Sequence, residues 1–498
     1  MWLPASALLA VLGALALVAL ACFLGNRQRW RGSIVAVAAA ALIIRAYASA
    51  DLALHPWDER YHALVAKNLI QTPLTPRLYS TPLLEYDYRS WTGNYIWMHK
   101  PPLALWLQAA SMKMFGVHEY ALRLPSVLIS TAAVFVTFYI GTILLSPGAG
   151  LLAAIFQTFN GFLVDLTSGR RVSDHVDTLL IFLFELGILL ALKGSRRSSA
   201  AAGIGLGAAC GFAYLTKSFP ALLMLPVWAV MRHTVPLASL ARELGIAGVV
   251  AAIIAAPWAI YSASAFPLES SHERAEALRR ITEVLESQGG PAWRYLAEMP
   301  RHFGELIYLP IAIAIYLVLR RGSSSERRAL LLWAAIPYVV FSACATKAPG
   351  YVMIAAPAIF LVQADVWLWL SRKRLAPFQP VNRIFLRVVV IALAVLPARY
   401  LLEPAGPLEQ RERNPQWTID LRELTQHIGA ENAVVFNLEK NIEAMFYTPY
   451  VVYPHLPSAA QAETLQRRGY KVYVFSDGMA PLPDLPPGVA LIRPQRSR

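Results

Sequence analysis

Charge is scarce in this chain. Of 498 residues, 15% are Asp, Glu, Lys or Arg, 56% are hydrophobic, and the mean hydropathy is +0.45; that leaves too little charge to coat a single soluble globule. Acidic residues are scarcer still, 31 against 45 Lys and Arg. The net charge of +14 would suit a nucleic-acid groove, but the basic residues fall in short clusters between apolar runs, the pattern of cytoplasmic loops. No nucleic-acid partner is expected. Cysteine is nearly absent: Cys22, Cys210 and Cys344 each lie inside an apolar segment, without metal-ligand or disulfide spacing, and read as packing residues. No charged n-region precedes the first apolar run, residues 3–24, and Arg27, Arg29 and Arg31 follow it, which reads as a span with its N-terminus outside rather than a cleaved leader. The chain has no internal repeat and no low-complexity linker.

What is present is a succession of apolar runs. Spans are expected at 3–24, 33–50, 121–145, 150–167, 176–192, 200–216, 219–231, 244–262, 305–320, 329–345, 350–370 and 384–401, about twelve in all. Alternation from an outer N-terminus puts every basic cluster inside: Lys193 to Arg197, Arg232 with Arg242, Arg320-Arg321 with Arg327-Arg328, and Arg372-Lys373-Arg374. The same alternation puts the loop 51–120 with its polar island Asp58 to Leu103, the loop 263–304 and everything past Leu402 outside. Leu103 to Phe115 is too short for a span and reads as a juxtamembrane helix, and Ser271 to Ser287 is a helix-like stretch. Beyond the hinge Pro404-Ala405-Gly406-Pro407, strands at 433–436, 451–453 and 471–475 alternate with helices at 439–446 and 458–468, a small parallel α/β pattern. The expected fold is an all-α polytopic membrane protein, 1–401, with outer juxtamembrane helices and a small C-terminal α/β periplasmic domain, 402–498.

The island carries the chemistry. Asp58 and Glu59 follow the second span directly, and such a pair is either a helix N-cap or a reactive carboxylate set. Lys100 precedes Pro101-Pro102, so its backbone is biased to an extended form and its side chain is aimed. On the same outer side stand Arg170-Arg171, Asp174 and Asp177 at i, i+3 spacing, Lys217, and Lys347 with Tyr351. Each lysine alone reads equally well as a snorkelling span end. Together, carboxylates beside several cations at a membrane boundary suit a reaction in which one group removes a proton while others hold a phosphate leaving group.

The motifs Asp58-Glu59, His99-Lys100-Pro101-Pro102-Leu103-Ala104-Leu105-Trp106, Phe115 to Ser126 and Leu215-Thr216-Lys217 resemble the protein O-mannosyltransferase superfamily, in particular its bacterial branch with the lipid A aminoarabinose transferases. The similarity runs over residues 33–370. It implies a polytopic fold and transfer of a sugar from a polyprenyl phosphate. By that resemblance Asp58 matches the catalytic carboxylate, Lys100 a phosphate-binding lysine, Tyr351 a tyrosine near the donor phosphate, and Asp174 or Asp177 a second acidic position. Where the lipid A branch has a metal-binding glutamate before the lysine, this chain has His99; imidazole is also a ligand, so a divalent metal held by His99 with His272 is an alternative to be tested. Tyr86, Tyr88 and Trp91 line either an acceptor groove or a packing surface.

The expected function is an inverting membrane glycosyltransferase at the outer face of a bacterial inner membrane. Asp58 is the expected general base, Glu59 orients its neighbours, and Asp174 and Asp177 are further acidic candidates; Lys100, Lys217, Lys347, Tyr351 and Arg170 hold the donor phosphate. Its partners are a polyprenyl-phosphate sugar, a lipid, glycan or protein acceptor, and membrane lipids. A transporter or lipid flippase is the competing class, which predicts charges at mid-membrane and broken helices.

Overall fold

The computed structural model describes residues 3–172, 174–320, 325–372, 380–429, 432–476 and 484–493. Arg321, Lys373 and Arg374 of the expected basic loops lie outside them. Two compact units form: Met1–Ser49 with Ser126–Ala265 and Arg274–Gln410, and Ala50–Pro125 with Phe266–Glu273 and Arg411–Arg498.

Among the described residues, eight helices are long and apolar enough to cross a membrane: Ala5–Asn26, Trp30–Ala48, Glu119–Leu144, Asp174–Ser195, Ser199–Leu222, Leu237–Ala265, Tyr351–Ser371 and Ile384–Leu402. Two bent pairs, Pro147–Phe159 with Gly161–Thr167 at 60° and Arg294–Phe303 with Tyr308–Leu319 at 105°, raise this to 10 if each is one span. The chain is a multi-pass membrane protein. The remaining two expected runs are helical as well, but Met224–Met231 is only 8 residues long and Ser325–Ala343 opens on Glu326, Arg327 and Arg328.

Local chemistry sets the breaks. Ser146 caps Pro147–Phe159 by accepting from the Ala149 amide, and Pro147 sits where its missing N–H costs nothing. Asn160 then ends that helix and caps the next through the Leu163 amide, 3.0 Å away. In the first unit, Gly203, Gly207 and Gly211 line one face of Ser199–Leu222, and a Cβ on Gly207 would lie 2.5 Å from the Ala247 carbonyl. This small-residue stripe brings Ser199–Leu222 and Leu237–Ala265 into backbone contact, the association mode that works in lipid. Arg45 and Glu185 are among the ionisable side chains fully buried within spans. Arg45 donates to Ser130 Oγ at 2.6 Å and to the Gln157 and Thr158 carbonyls, while Glu185 accepts from Thr137 Oγ1 at 2.6 Å and Gln157 Nε2 at 3.3 Å.

In the second unit, strands β1 (Ala433–Phe436), β2 (Val451–Val452), β3 (Lys471–Phe475) and β4 (Ala490–Ile492) form a parallel sheet in the order β2-β1-β3-β4. β4 was not anticipated. The Asp58–Leu69 and Leu103–Phe115 helices share one hydrophobic core with this sheet: Leu64, Leu69, Trp97 and Leu105 belong to the same buried cluster as Val434, Phe436 and Val474. Lys67 fixes the join, donating to the Met445, Phe446 and Thr448 carbonyls at 2.7, 3.0 and 2.7 Å, where the Asn441–Tyr447 helix ends.

Candidate active site

In the second unit the island folds so that its two ends meet. Asp58 and Glu59 open the Asp58–Leu69 helix, where first-turn amides favour carboxylates. Trp57 before them has φ 74° and ψ −134°, a conformation that a bulky residue adopts only under constraint. Asp58 is 7% exposed, and its Oδ2 lies 3.8 Å from Lys100 Nζ. Glu59 is fully buried; it accepts Arg123 Nε at 2.7 Å, Arg123 Nη2 at 2.9 Å and the His55 amide at 2.6 Å. Arg123 also donates to the Asp51 and Ala53 carbonyls, at 2.5 and 2.7 Å. Asp51 hydrogen-bonds His55 Nε2 at 2.9 Å, Arg411 Nε at 2.7 Å and Arg413 Nη1 at 2.9 Å. Burial opposes ionisation of Asp51, but His55 and the guanidiniums more than offset it and draw its pKa down to about 2.

His99 lies flat on Trp91, 4.6 Å between ring centres, with its edge to Trp97 and its Nδ1 3.2 Å from Glu273 Oε2. Burial and the Lys100 charge hold its pKa below the ordinary value, so the neutral imidazole donates to Glu273; burial would raise that carboxyl, but the contact with His99 keeps it below its usual range. Tyr88 meets His272 edge-on at 6.1 Å, and Tyr86 packs on Tyr95 at 5.7 Å. No group of three His, Cys, Asp or Glu among the described residues is placed to hold a metal ion. His99 contacts Glu273 and Trp91, and His272 faces Tyr88.

In the first unit, the Ser199–Leu222 helix breaks at Lys217 (φ −155°, ψ 61°) and Ser218. Pro220 is the cause, since it lacks an N–H and its ring crowds the carbonyl four residues back. The break lets Lys217 Nζ reach Asp177 Oδ1 at 2.5 Å and lie 4.8 Å above the Tyr351 ring. Asp177 is fully buried against Gly350, where a Cβ would come 2.1 Å from its Oδ2. Asp174, one turn earlier, is bound locally and accepts the Val176 amide at 3.4 Å. The segment 345–347 is tied to residues 280–288: the Ala345, Thr346 and Lys347 amides donate to the Ile281, Arg280 and Gln288 carbonyls at 2.9, 3.0 and 2.6 Å. Lys347 Nζ donates to the Cys344 carbonyl at 2.5 Å, where Ser325–Ala343 ends. Arg280 pairs with Glu286 at 2.6 Å and hydrogen-bonds Tyr351. Arg170 is placed elsewhere. It donates to the Gly406 carbonyl at 2.8 Å and Glu409 at 2.5 Å, beside Asp165, Arg171 and Tyr400.

Each cluster therefore includes residues that sequence reasoning had not assigned. Arg123, an arginine inside an otherwise apolar run, carried a signal of its own, because such a charge needs a buried partner. Asp51 and Glu273 carried none.

A model of the dolichyl-phosphate-mannose-protein mannosyltransferase family matches residues 99–261, which include Lys100, Asp174, Asp177 and Lys217. An undecaprenyl phosphate-alpha-4-amino-4-deoxy-L-arabinose arabinosyl transferase of Pseudomonas savastanoi pv. phaseolicola is 26% identical over 292 residues, covering 55% of this chain and 53% of that protein. A lipid A galacturonosyltransferase, RgtD of Rhizobium johnstonii, is 27% identical over 300 residues, covering 57% and 59%. The matched stretch thus spans little more than half the length of these curated relatives. The fold is that of ArnT from Cupriavidus metallidurans, solved bound to undecaprenyl phosphate, at a TM-score of 0.64 and 18% identity over 89% of this chain and 90% of that one. The archaeal oligosaccharyltransferase AglB from Archaeoglobus fulgidus is similar in fold as well, with a TM-score of 0.57 at 14% identity, covering 88% and 69%.

Proposed function

We propose that the chain transfers a sugar from a polyprenyl-phosphate donor to an acceptor hydroxyl at the outer face of a bacterial inner membrane, with the residues after Leu402 on the same side. The observation that carries the reading is Asp58, a buried carboxylate 3.8 Å from Lys100 Nζ, in a chain whose residues 99–261 match the mannosyltransferase family. Asp58 takes the acceptor proton as the acceptor oxygen bonds to the anomeric carbon from the face opposite the leaving group. The bond from that carbon to the phosphate oxygen breaks, and the polyprenyl phosphate leaves with the electron pair, its charge met by cations. Lys100, Lys217, Lys347 and Tyr351 are the proposed phosphate-side residues, with Asp177 rather than Asp174 as the second acidic member because it is the one paired with Lys217. Glu59 is a positioning residue, held by Arg123. Tyr86, Tyr88 and Trp91 are the proposed acceptor wall. The similarity to arabinosyl and galacturonosyl transferases favours an amino-pentose or uronic-acid donor and a lipid A-type acceptor.

Asp58→Asn keeps size and most hydrogen bonding but removes basicity. Transfer should fall by about a hundredfold or more while donor binding is kept; near-normal transfer by a stably inserted protein would place the base elsewhere. The second reading, a lipid flippase, is favoured by Arg45 and Glu185 within spans and by the break at Lys217. Movement of labelled polyprenyl phosphate across proteoliposomes, undiminished in Asp58→Asn, would select it.

A further inference from the structure

The loop that enters the Glu119–Leu144 helix borders a cavity that the proposed chemistry does not use. Its volume is about 280 Å³, and it is lined by Leu52, Val117, His118, Glu119, Arg422 and Tyr447, with Tyr120 at the rim. On its floor Arg422 Nη2 donates both to Glu119 Oε1 at 2.7 Å and to the Leu52 carbonyl at 3.0 Å, and the Tyr447 hydroxyl donates to the same Oε1 at 2.6 Å. One guanidinium nitrogen carries both bonds; among the described residues Nε and Nη1 of Arg422 have no hydrogen-bond partner. The guanidinium lies 4.9 Å over the Tyr447 ring, which fixes its plane, and the side chain is 36% exposed. Glu119 is 1% exposed and already neutralised, so it does not present a carboxylate to the opening. Val117 and Tyr120 in its lining are 42% and 50% exposed, and Met114 and Phe115, just before them in the chain, are 74% and 56% exposed.

Position identifies the occupant. Glu119 is the first residue of a helix long and apolar enough to cross a membrane, so the cavity lies where a span enters the bilayer. At that depth an apolar collar meets acyl chains, and a guanidinium just beyond it meets headgroup phosphates, which its planar fork binds through paired N–H groups. We propose that this cavity holds the phosphate of a membrane glycerophospholipid, bound by Arg422 through Nε and Nη1, with its acyl chains over Phe115 and Val117.

The test uses the full-length chain, purified in mild detergent, delipidated and titrated with phosphatidylglycerol under native mass spectrometry. A saturable adduct should form, weakened about tenfold in Arg422→Gln, as expected for losing a charge-assisted pair. It should also weaken in Phe115→Ser/Val117→Ser, which leaves the Glu119, Arg422 and Tyr447 contacts in place. Glycerol 3-phosphate at equal concentration should not displace the lipid; if it does, the cavity is a free-phosphate site and the lipid assignment fails. Unchanged lipid retention in the Phe115→Ser/Val117→Ser protein overturns the proposal even where Arg422→Gln does not fold.

Discussion

Glu59 and Arg123 share two hydrogen bonds with no solvent access, and removing one partner alone strands a charge in a dry site. Arg123→Met should therefore cost about 3–5 kcal/mol, and Glu59→Gln in the same chain should recover much of it. Additive losses in detergent melting curves of the singles and the double would show that the two do not act as a pair. Asp51 supplies a pH dependence of definite sign. Its folded pKa of about 2 lies below the ordinary 3.8, so its contribution, on the order of 2 kcal/mol, is complete above about pH 4 and is lost as pH falls toward 2. Acid melts of Asp51→Asn should lack that component and show the corresponding deficit at neutral pH.

At the scale of elements, the break at Lys217 and the packing of Gly350 are two halves of one arrangement, since both act on Asp177. A methyl group on Gly350 would sit 2.1 Å from Asp177 Oδ2 and must displace it. Gly350→Ala should thus lower donor affinity about as much as Asp177→Asn, by roughly tenfold, read by isothermal titration with a polyprenyl-phosphate analogue; wild-type affinity in Gly350→Ala would separate Asp177 from donor binding. How much of this was legible in the sequence depended on whether the cause was local. Leu103–Phe115 follows a proline pair and stops at Gly116, whose φ of +99° ends helices, so both ends could be read. Strands β1 and β3 are compact apolar runs, whereas β4 is three residues after a proline pair and offers no period to count. The runs around Lys217 read as two short spans, whereas the structure has one helix, broken at Lys217, followed by a short one. The pairing of His99 with Glu273 joins residues 174 apart, and that of Arg170 with Glu409 joins residues 239 apart; no spacing rule reaches so far. Arg170 stands near Asp174 in sequence, but its acidic partners are Asp165 and Glu409, the latter in the segment after the last span.

For the whole molecule, the distribution of basic loops makes a prediction about sidedness. In a background with Cys22, Cys210 and Cys344 replaced, single cysteines at Arg197 and Arg328 should react only with reagents applied from the cytoplasm, and cysteines at Glu85 and Glu412 only with those applied from outside. Labelling of positions 197 and 85 from one side would overturn the proposed orientation. The second unit also has a history built into it. It is gathered from three separated segments, and the sheet that completes its core is encoded in the third of them. During synthesis the helix bearing Asp58 leaves the ribosome long before Val434 and Val474 exist to cover Leu64 and Leu69, so it must wait, half-wrapped, while the intervening spans are inserted. On the proposed reading, competence for chemistry then waits on the third segment, and a premature stop after Gln410 should silence a carboxylate whose own codon was read long before.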